Sequence, residues 1–273
     1  MVRVIGVGDN VVDRYLDLDT MFPGGNAVNF AALARRYGFD SAYLGVVGAD
    51  PEGDLIKHAL RAEGVDVSRM QTAKGKTAFT DVALENGERV FKGFDLSIYG
   101  RLDLKDEDFA YIRGFDLVHT SVYSKITRYL PQIRAEQVKI SFDFSDKWDE
   151  DVMKEIAPQI DFACMSGSGH SPEEIRQRLK DLVAHGAELA LITMGSEGAL
   201  LYDGKEFYQQ DIVPVDVVDT LGAGDAFITM FLLNYLVSRD ISYSLKLAAA
   251  AAAVACTYYG AFGHGTPIRH EEE

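Results

Sequence analysis

The chain has 273 residues, 47% of them hydrophobic and 25% charged, which suits a soluble globular protein with a full core. Its 27 Lys and Arg against 42 Asp and Glu give a net charge of −15. A surface this acidic excludes nucleic-acid backbone binding, which needs clustered cations, but not one small anion held by backbone groups and a metal. No apolar run is long enough for a membrane span, and the opening MVRVIGVGDN is too soon polar for a signal segment, so no membrane partner is expected. Cys164 and Cys256 both sit in apolar surroundings, which predicts reduced thiols and a cytoplasmic location.

Residues 2–8 (VRVIGVG) read as a buried strand, and 12–18 (VDRYLDL) alternate like a half-exposed one. A helix is predicted from Asn26 to Tyr37, stopped by Gly38, then a buried strand over 41–48 and a helix over 54–64 ended by Gly64. Residues 77–94 read as a hairpin turning at Asn86-Gly87; with 12–18 it is expected to form a small sheet standing off the body. Strands at 116–121, 138–144, 160–166 and 187–193 then alternate with helical segments, which implies a mostly parallel sheet covered on both faces. GALLYDGKEFYQQD reads as a late hairpin turning at Asp203-Gly204. AFITMFLLNYLV reads as a core helix, LKLAAAAAAVACTYYG (245–260) as a close-packing helix, and RHEEE as a solvated tail. With no linker and no repeat, one domain over 1–273 is expected, with lid segments at about 12–18 and 77–94.

Four clusters carry the chemistry. In DTLGAGDAF, Gly222, Ala223 and Gly224 stand where a helix begins, and unpaired N–H groups there attract anions. Asp225 follows at once, placed to accept the proton of an attacking hydroxyl; the same residue also suits plain stabilisation of the helix dipole. In GGNAVNFAALARRYG, Gly24 and Gly25 precede Asn26 and Asn29, two amides on one helical face. They suit sugar hydroxyls, and equally a glycine loop with an Asn cap. In GDNVVD, Asp9, Asn10 and Asp13 follow a strand end, where α/β ligands bind, or are ordinary loop residues. In TMGSEG, Thr193, Gly195 and Gly198 suit backbone contact with nucleotide phosphates, or a plain turn. There is no phosphate-binding GxxxxGK[ST], no HExxH, no CxxC and no GxSxG. Gly6 and Gly8 begin a dinucleotide fingerprint, but its third glycine falls at Val11, which disfavours a dehydrogenase.

In this order and spacing the clusters resemble the ribokinase-like (PfkB) carbohydrate kinases over nearly the whole chain: DTLGAGD matches the C-terminal signature of that family and GGNAVNFAALARRYG its N-terminal one. The resemblance implies an α/β fold with a central, mostly parallel sheet, helices on both faces and a small β lid. It implies ATP-dependent phosphorylation of a sugar hydroxyl with Mg2+, Asp225 as the base and residues 222–224 as the anion hole. It assigns Asp9, Asn10, Asp13, Gly24, Gly25, Asn26, Asn29 and Arg89 to the sugar, and Thr193, Gly195, Gly198, Thr220, Gly222 and Gly224 to ATP. GDNVVD, GGNAVN and FDFSDKWD (142–149) are similar to the branch that phosphorylates the 6-hydroxyl of fructoselysine. Asp9, Asp13 and Asp95 would favour such a cationic substrate. The competing readings are a kinase for another ketose or keto-deoxy sugar acid, and a non-catalytic sugar or nucleotide sensor, which would not need an intact GAGD.

The departures matter as well. Ser166 and Gly169 stand where many relatives carry the ends of an Asn-x-x-Glu that organises Mg2+, leaving Asp143 and Glu173 as candidate metal ligands. Asn26 stands where many sugar kinases have Lys, and Lys147 is a candidate phosphate-facing charge or a surface lysine. Family members often bind a monovalent cation, here K+, near the anion hole, for which carbonyls around Asp219 and 256–265 are candidates. On an alternating strand Arg89 and Lys92 face opposite ways, and Arg89 is the one expected to face the ligand. Phe79 and Phe91 are expected to cover the sugar or seal the lid against a second subunit, since exposed edges favour a homodimer.

Overall fold

The computed structural model describes residues 2–85 and 88–268, with the side chains of 84–91 outside the description. The elements run β1 (Arg3–Gly8), β2 (Val11–Tyr15), β3 (Thr20–Gly24), α1 (Asn26–Arg36), β4 (Asp40–Gly48), α2 (Pro51–Glu63) and β5 (Gln71–Ala73). Next come β6 (Phe79–Glu85), β7 (Glu88–Asp95), α3 (Asp106–Ile112), β8 (Leu117–Ser121), α4 (Leu130–Ala135), β9 (Lys139–Asp143), α5 (Glu150–Ile156) and β10 (Phe162–Ser166). The chain continues through α6 (Pro172–Ala184), β11 (Leu189–Thr193), β12 (Ala199–Tyr202), β13 (Phe207–Gln210), α7 (Ala223–Ser238), α8 (Ile241–Ala255) and β14 (Thr266–Pro267).

Among the described residues the main sheet has the order β13-β12-β11-β10-β9-β8-β1-β4-β5. It is parallel from β5 through β11; the hairpin β12–β13 closes its edge antiparallel, as the sequence predicts. The central strands are hydrophobic throughout, so both faces must be covered. One face packs against a core that includes Ile112, Ile133, Ile156 and Leu179 from α3 to α6. The other packs against α1, α7 and α8, with Phe30, Phe231 and Leu245 at its centre.

The second sheet, β14-β3-β2-β6-β7, is the small lid sheet. Its β2 and β6 pair in parallel, Val12 opposite Phe79, and β6–β7 is the predicted hairpin, whose Asn86-Gly87 turn lies outside the described residues. Only Asp9 and Asn10 separate β1 of the body from β2 of the lid. A dinucleotide fold would place a helix there, so Gly6 and Gly8 serve a different junction.

Two boundaries differ from expectation. The strand predicted over 12–18 ends at Tyr15; a 3₁₀ turn over Leu16–Leu18 and a left-handed Asp19 reverse the chain into β3, which the sequence reading missed. The helix predicted over 245–260 stops at Ala255, and residues 256–265 form a loop against the start of α7. The predicted RHEEE tail lies outside the described residues.

Candidate active site

Strand ends of the main sheet and the N-terminus of α7 open into one cleft of about 630 Å³. At its centre α7 begins. Gly222 precedes the helix with φ +74°, and a Cβ there would lie 2.3 Å from the Ala261 Cβ, so the turn requires glycine twice over. Asp219 ties this turn to its surroundings. Its Oδ1 accepts from the Leu221 N–H at 3.0 Å; its Oδ2 accepts from the Gly260 N–H at 3.0 Å and the Tyr15 hydroxyl at 2.7 Å. The lid strand β2, the loop 256–265 and the α7 N-terminus therefore share one buried carboxylate.

Asp225, in the first turn of α7, accepts from Asn29 Nδ2 at 2.7 Å and Asn26 Nδ2 at 3.1 Å. Asn26 Nδ2 also donates to Asp143 Oδ2 at 2.7 Å, so one amide bridges two carboxylates. The Asn26 N–H donates to Asp9 Oδ2 at 2.7 Å, and Asp9 Oδ1 accepts from Ser121 and Ser124 at 2.9 and 2.7 Å. Gly25, φ +104°, makes this approach possible: a Cβ there would lie 2.7 Å from Asn10 Cα and 3.1 Å from Asp9 Oδ2. The result is a continuous chain of acids and amides reaching from the end of β1, through α1, to β9 and α7.

The electrostatics follow from crowding acids in low dielectric. Burial pushes the Asp225 carboxyl up to about 7, with Asp9 adding to the rise and the Asn29 and Asn26 amides opposing it. Burial, then the charge on Asp225, pushes Asp143 up to about 7 as well. The two titrate as a coupled pair.

The nucleotide-side residues singled out in the sequence, Thr193, Gly195, Gly198, Thr220, Gly222 and Gly224, all line the cleft, as do Asn26, Asp143, Ala223 and Asp225. Asp9, Asn29 and Gly25 adjoin the cleft residues Asn26 and Asp225 through the contacts above, and Gly24 precedes Gly25; none of the four is in the cleft lining itself. Asp13 is 7% exposed, and a Cβ on Gly24 would lie 2.6 Å from its Oδ2. The Asn10 amide donates to the Tyr43 hydroxyl and the Val46 carbonyl, both at 2.8 Å, so it braces the body rather than presenting donors to the cleft. Glu173 stands exposed in the first turn of α6, away from the cleft lining. Lys147 is exposed and paired with Asp146. The Arg89 and Phe91 side chains lie outside the described residues, and Phe79 packs under the Arg14 guanidinium, 3.8 Å from its ring centroid.

Several lining residues were missed. Ile212, Val213, Pro214, Val215 and Val217 form an exposed apolar rim, with Val217 61% exposed, and Ala252 and Ala253 of α8 line the same cleft. The signal was there: an apolar run on an open surface marks a ligand groove. Ser121 and Ser124 were passed over because a Ser after an apolar strand looks ordinary until a carboxylate is placed beside it. Trp148 donates from Nε1 to the Ser166 carbonyl at 2.8 Å and stacks on His170 at 3.6 Å, bracing the segment that lacks Asn-x-x-Glu.

Residues 12–268 match the model of the pfkB family of carbohydrate kinases. The chain belongs to this family and is an ATP-dependent carbohydrate kinase of ribokinase-like fold. It is 42% identical to the fructosamine kinase FrlD of Bacillus subtilis (strain 168) over 99% of this chain and 96% of that protein. It is 37% identical to the fructoselysine 6-kinase of Escherichia coli (strain K12) over 96% of this chain and all of that protein. Among solved structures, the Arabidopsis thaliana ribokinase complexed with ribose and ATP superimposes with a TM-score of 0.82 at 21% identity, covering 96% of this chain and 95% of that one. A putative ribokinase II from E. coli in complex with ATP and Mg2+ gives 0.79 at 20% identity over 96% and 95% of the two chains. No helix among the described residues is long and apolar enough to cross a membrane.

Proposed function

We propose that this kinase phosphorylates the 6-hydroxyl of fructoselysine or a related fructosamine at the expense of ATP. The observation that carries the chemistry is Asp225: a half-buried carboxylate at the start of α7, aligned by two amides, with its pKa raised to about 7. A base poised near the working pH takes a proton most effectively. The 6-hydroxyl gives its proton to Asp225 as its oxygen attacks the γ-phosphorus; the bond to the β-phosphate oxygen breaks and ADP leaves. The N–H groups at 222–224 offer partial positive charge to the transferring phosphoryl group. The identities to a fructosamine kinase and a fructoselysine 6-kinase support the substrate.

Asp143 would hold Mg2+, whose charge would offset the repulsion between the Asp143 and Asp225 carboxylates that the Asn26 amide bridges, leaving Asp225 to take the proton. No cluster of three or more acid, His or Cys side chains able to enclose a metal occurs among the described residues, which suits an ion held by one or two carboxylates, waters and phosphates. Bound there, Mg2+ would neutralise charge on the phosphates. We assign Asp9, Asp13, Gly24, Gly25, Asn26, Asn29 and Arg89 to the sugar; the Asn10 amide braces the body, and Glu173 lies outside the cleft lining. Loop 256–265, tied to Asp219, supports K+ binding beside the anion hole. Phe94, 72% exposed on β7, and Leu96 just beyond it support a homodimer through the lid. We place the enzyme in the cytoplasm as one domain.

An ATP-to-ADP coupled assay with Mg2+ and K+ tests this. The panel is fructoselysine, fructosylglycine, fructose, ribose and a keto-deoxy sugar acid. Turnover confined to the fructosamines is expected. Turnover of fructose, ribose or the sugar acid alone overturns the substrate, and no turnover with ATP still bound favours the sensor.

A further inference from the structure

Beyond Asp143 the chain turns through Ser145, at φ +53°, and presents Asp146 and Lys147 to solvent. Lys147 Nζ pairs with Asp146 Oδ1 at 2.8 Å. An exposed pair of neighbours is usually worth little. This one is held from behind. The Tyr123 hydroxyl donates to Asp146 at 2.9 Å, and Lys147 Nζ lies 5.8 Å from the Tyr123 ring centroid. The Tyr123 N–H donates to Ser121 Oγ, which in turn donates to Asp9 in the sugar half. Tyr99, half-buried, lines a small cavity with Asp9, and Asp9 and Tyr123 both add to the upward push that burial gives its hydroxyl. Two tyrosines and a matched pair of opposite charges are thus linked, contact by contact, to Asp9.

Fructoselysine has the same order of parts: sugar, secondary ammonium, alkyl chain, then an amino-acid end carrying both an ammonium and a carboxylate. We infer that Asp146 and Lys147 form the subsite for that zwitterionic end, Asp146 taking the ammonium and Lys147 the carboxylate, while Tyr123 and Tyr99 line the path of the alkyl chain and secondary ammonium. The assignment rests on the fructosamine reading above. Aromatic faces attract cations, so the tyrosines serve any fructosamine. The ion pair serves only one whose far end carries both charges.

The test compares kcat/KM for fructoselysine with that for 1-butylamino-1-deoxyfructose, which keeps the sugar, the secondary amine and a chain but lacks the amino-acid end. Wild type is expected to prefer fructoselysine. Asp146→Ala and Lys147→Ala should each lower that preference about 5-fold, the size of a partly exposed charge contact, and chiefly through KM for fructoselysine. Tyr123→Phe, which removes only the hydroxyl behind Asp146, should lower it less. A preference unmoved by either alanine variant, or equal losses on both substrates, overturns the subsite while leaving the fructosamine reading intact. Wild-type turnover of fructose but of neither fructosamine overturns both.

Discussion

At the α7 end of the cleft the surfaces are backbone and small side chains: Gly222 to Gly224, the Thr193–Gly198 turn, and Ala252 and Ala253 behind them. At the β1 end they are long-range contacts, in which Asp9 of the β1–β2 junction, Asn26 and Asn29 of α1, Asp143 of β9 and Asp225 of α7 hold one another at 2.7–3.1 Å. The first construction binds charge without committing a titratable group. The second concentrates negative charge where a proton must move. On the function proposed above, the cleft divides its work: backbone dipoles for the phosphates, and a hydrogen-bonded set of carboxylates and amides for the hydroxyl.

The sharpest way to break this division is Asp225→Asn. The change removes the proton acceptor and leaves the backbone end untouched. We expect kcat to fall roughly 10²–10⁴-fold, with ATP binding by calorimetry retained. A variant that keeps full turnover would assign the chemistry elsewhere.

The backbone end is probed next by Gly222→Ala. Left-handed backbone costs a non-glycine residue about 1 kcal/mol, and the overlap with Ala261 about 1–3 kcal/mol more. The melting temperature should drop by several degrees, and kcat/KM for ATP by about tenfold as the first-turn N–H groups shift. Gly263→Ala sharpens the comparison. Gly263 also has positive φ, +78°, but no atom lies within 4 Å of a Cβ placed there, so only the smaller backbone cost is expected. Equal losses in the two variants would show that the overlap with Ala261 is not what makes glycine necessary at 222.

The same division governs what could be read from sequence. The βα rhythm, the late hairpin and the glycine turns were legible, because each is a local pattern of apolar period or special φ. Strand β3 was not. Pro23 argues against a strand, yet here it is tolerated: β14 pairs only with Thr20 and Met21, so Pro23 lies on a stretch of open edge. Asp219 looked like the first letter of a signature and proved to be a three-way tether, because Tyr15 and Gly260 are far away in sequence. The Asn26 bridge between Asp143 and Asp225 was equally hidden. Its three members were each visible, but a hydrogen bond across 117 or 199 residues leaves no periodic trace.

The subtlest consequence is a pH dependence in which activity and stability move in opposite directions. Asp225 and Asp143 ionise near 7 when folded and near 4 when unfolded. Between those values the folded chain holds more protons than the unfolded one, so unfolding free energy falls as pH rises. The stability gained from the raised pKa values is complete below about 4 and is lost as pH climbs through about 7. The base is needed deprotonated, so kcat/KM should climb through the same window, about tenfold per pH unit on its acid limb. The ligand-free enzyme should therefore melt a few degrees lower at pH 8.5 than at pH 5.5, while its kcat/KM is higher at 8.5. Asp225→Asn should reduce the melting difference, because one of the two coupled acids no longer ionises. A melting temperature that rises across this window, or a drop that the variant leaves unchanged, would mean that the acid cluster relaxes when its protons leave. The side-chain end of the cleft would then be as compliant as an ordinary surface loop, and the contrast with the glycine-built end would lose its energetic basis.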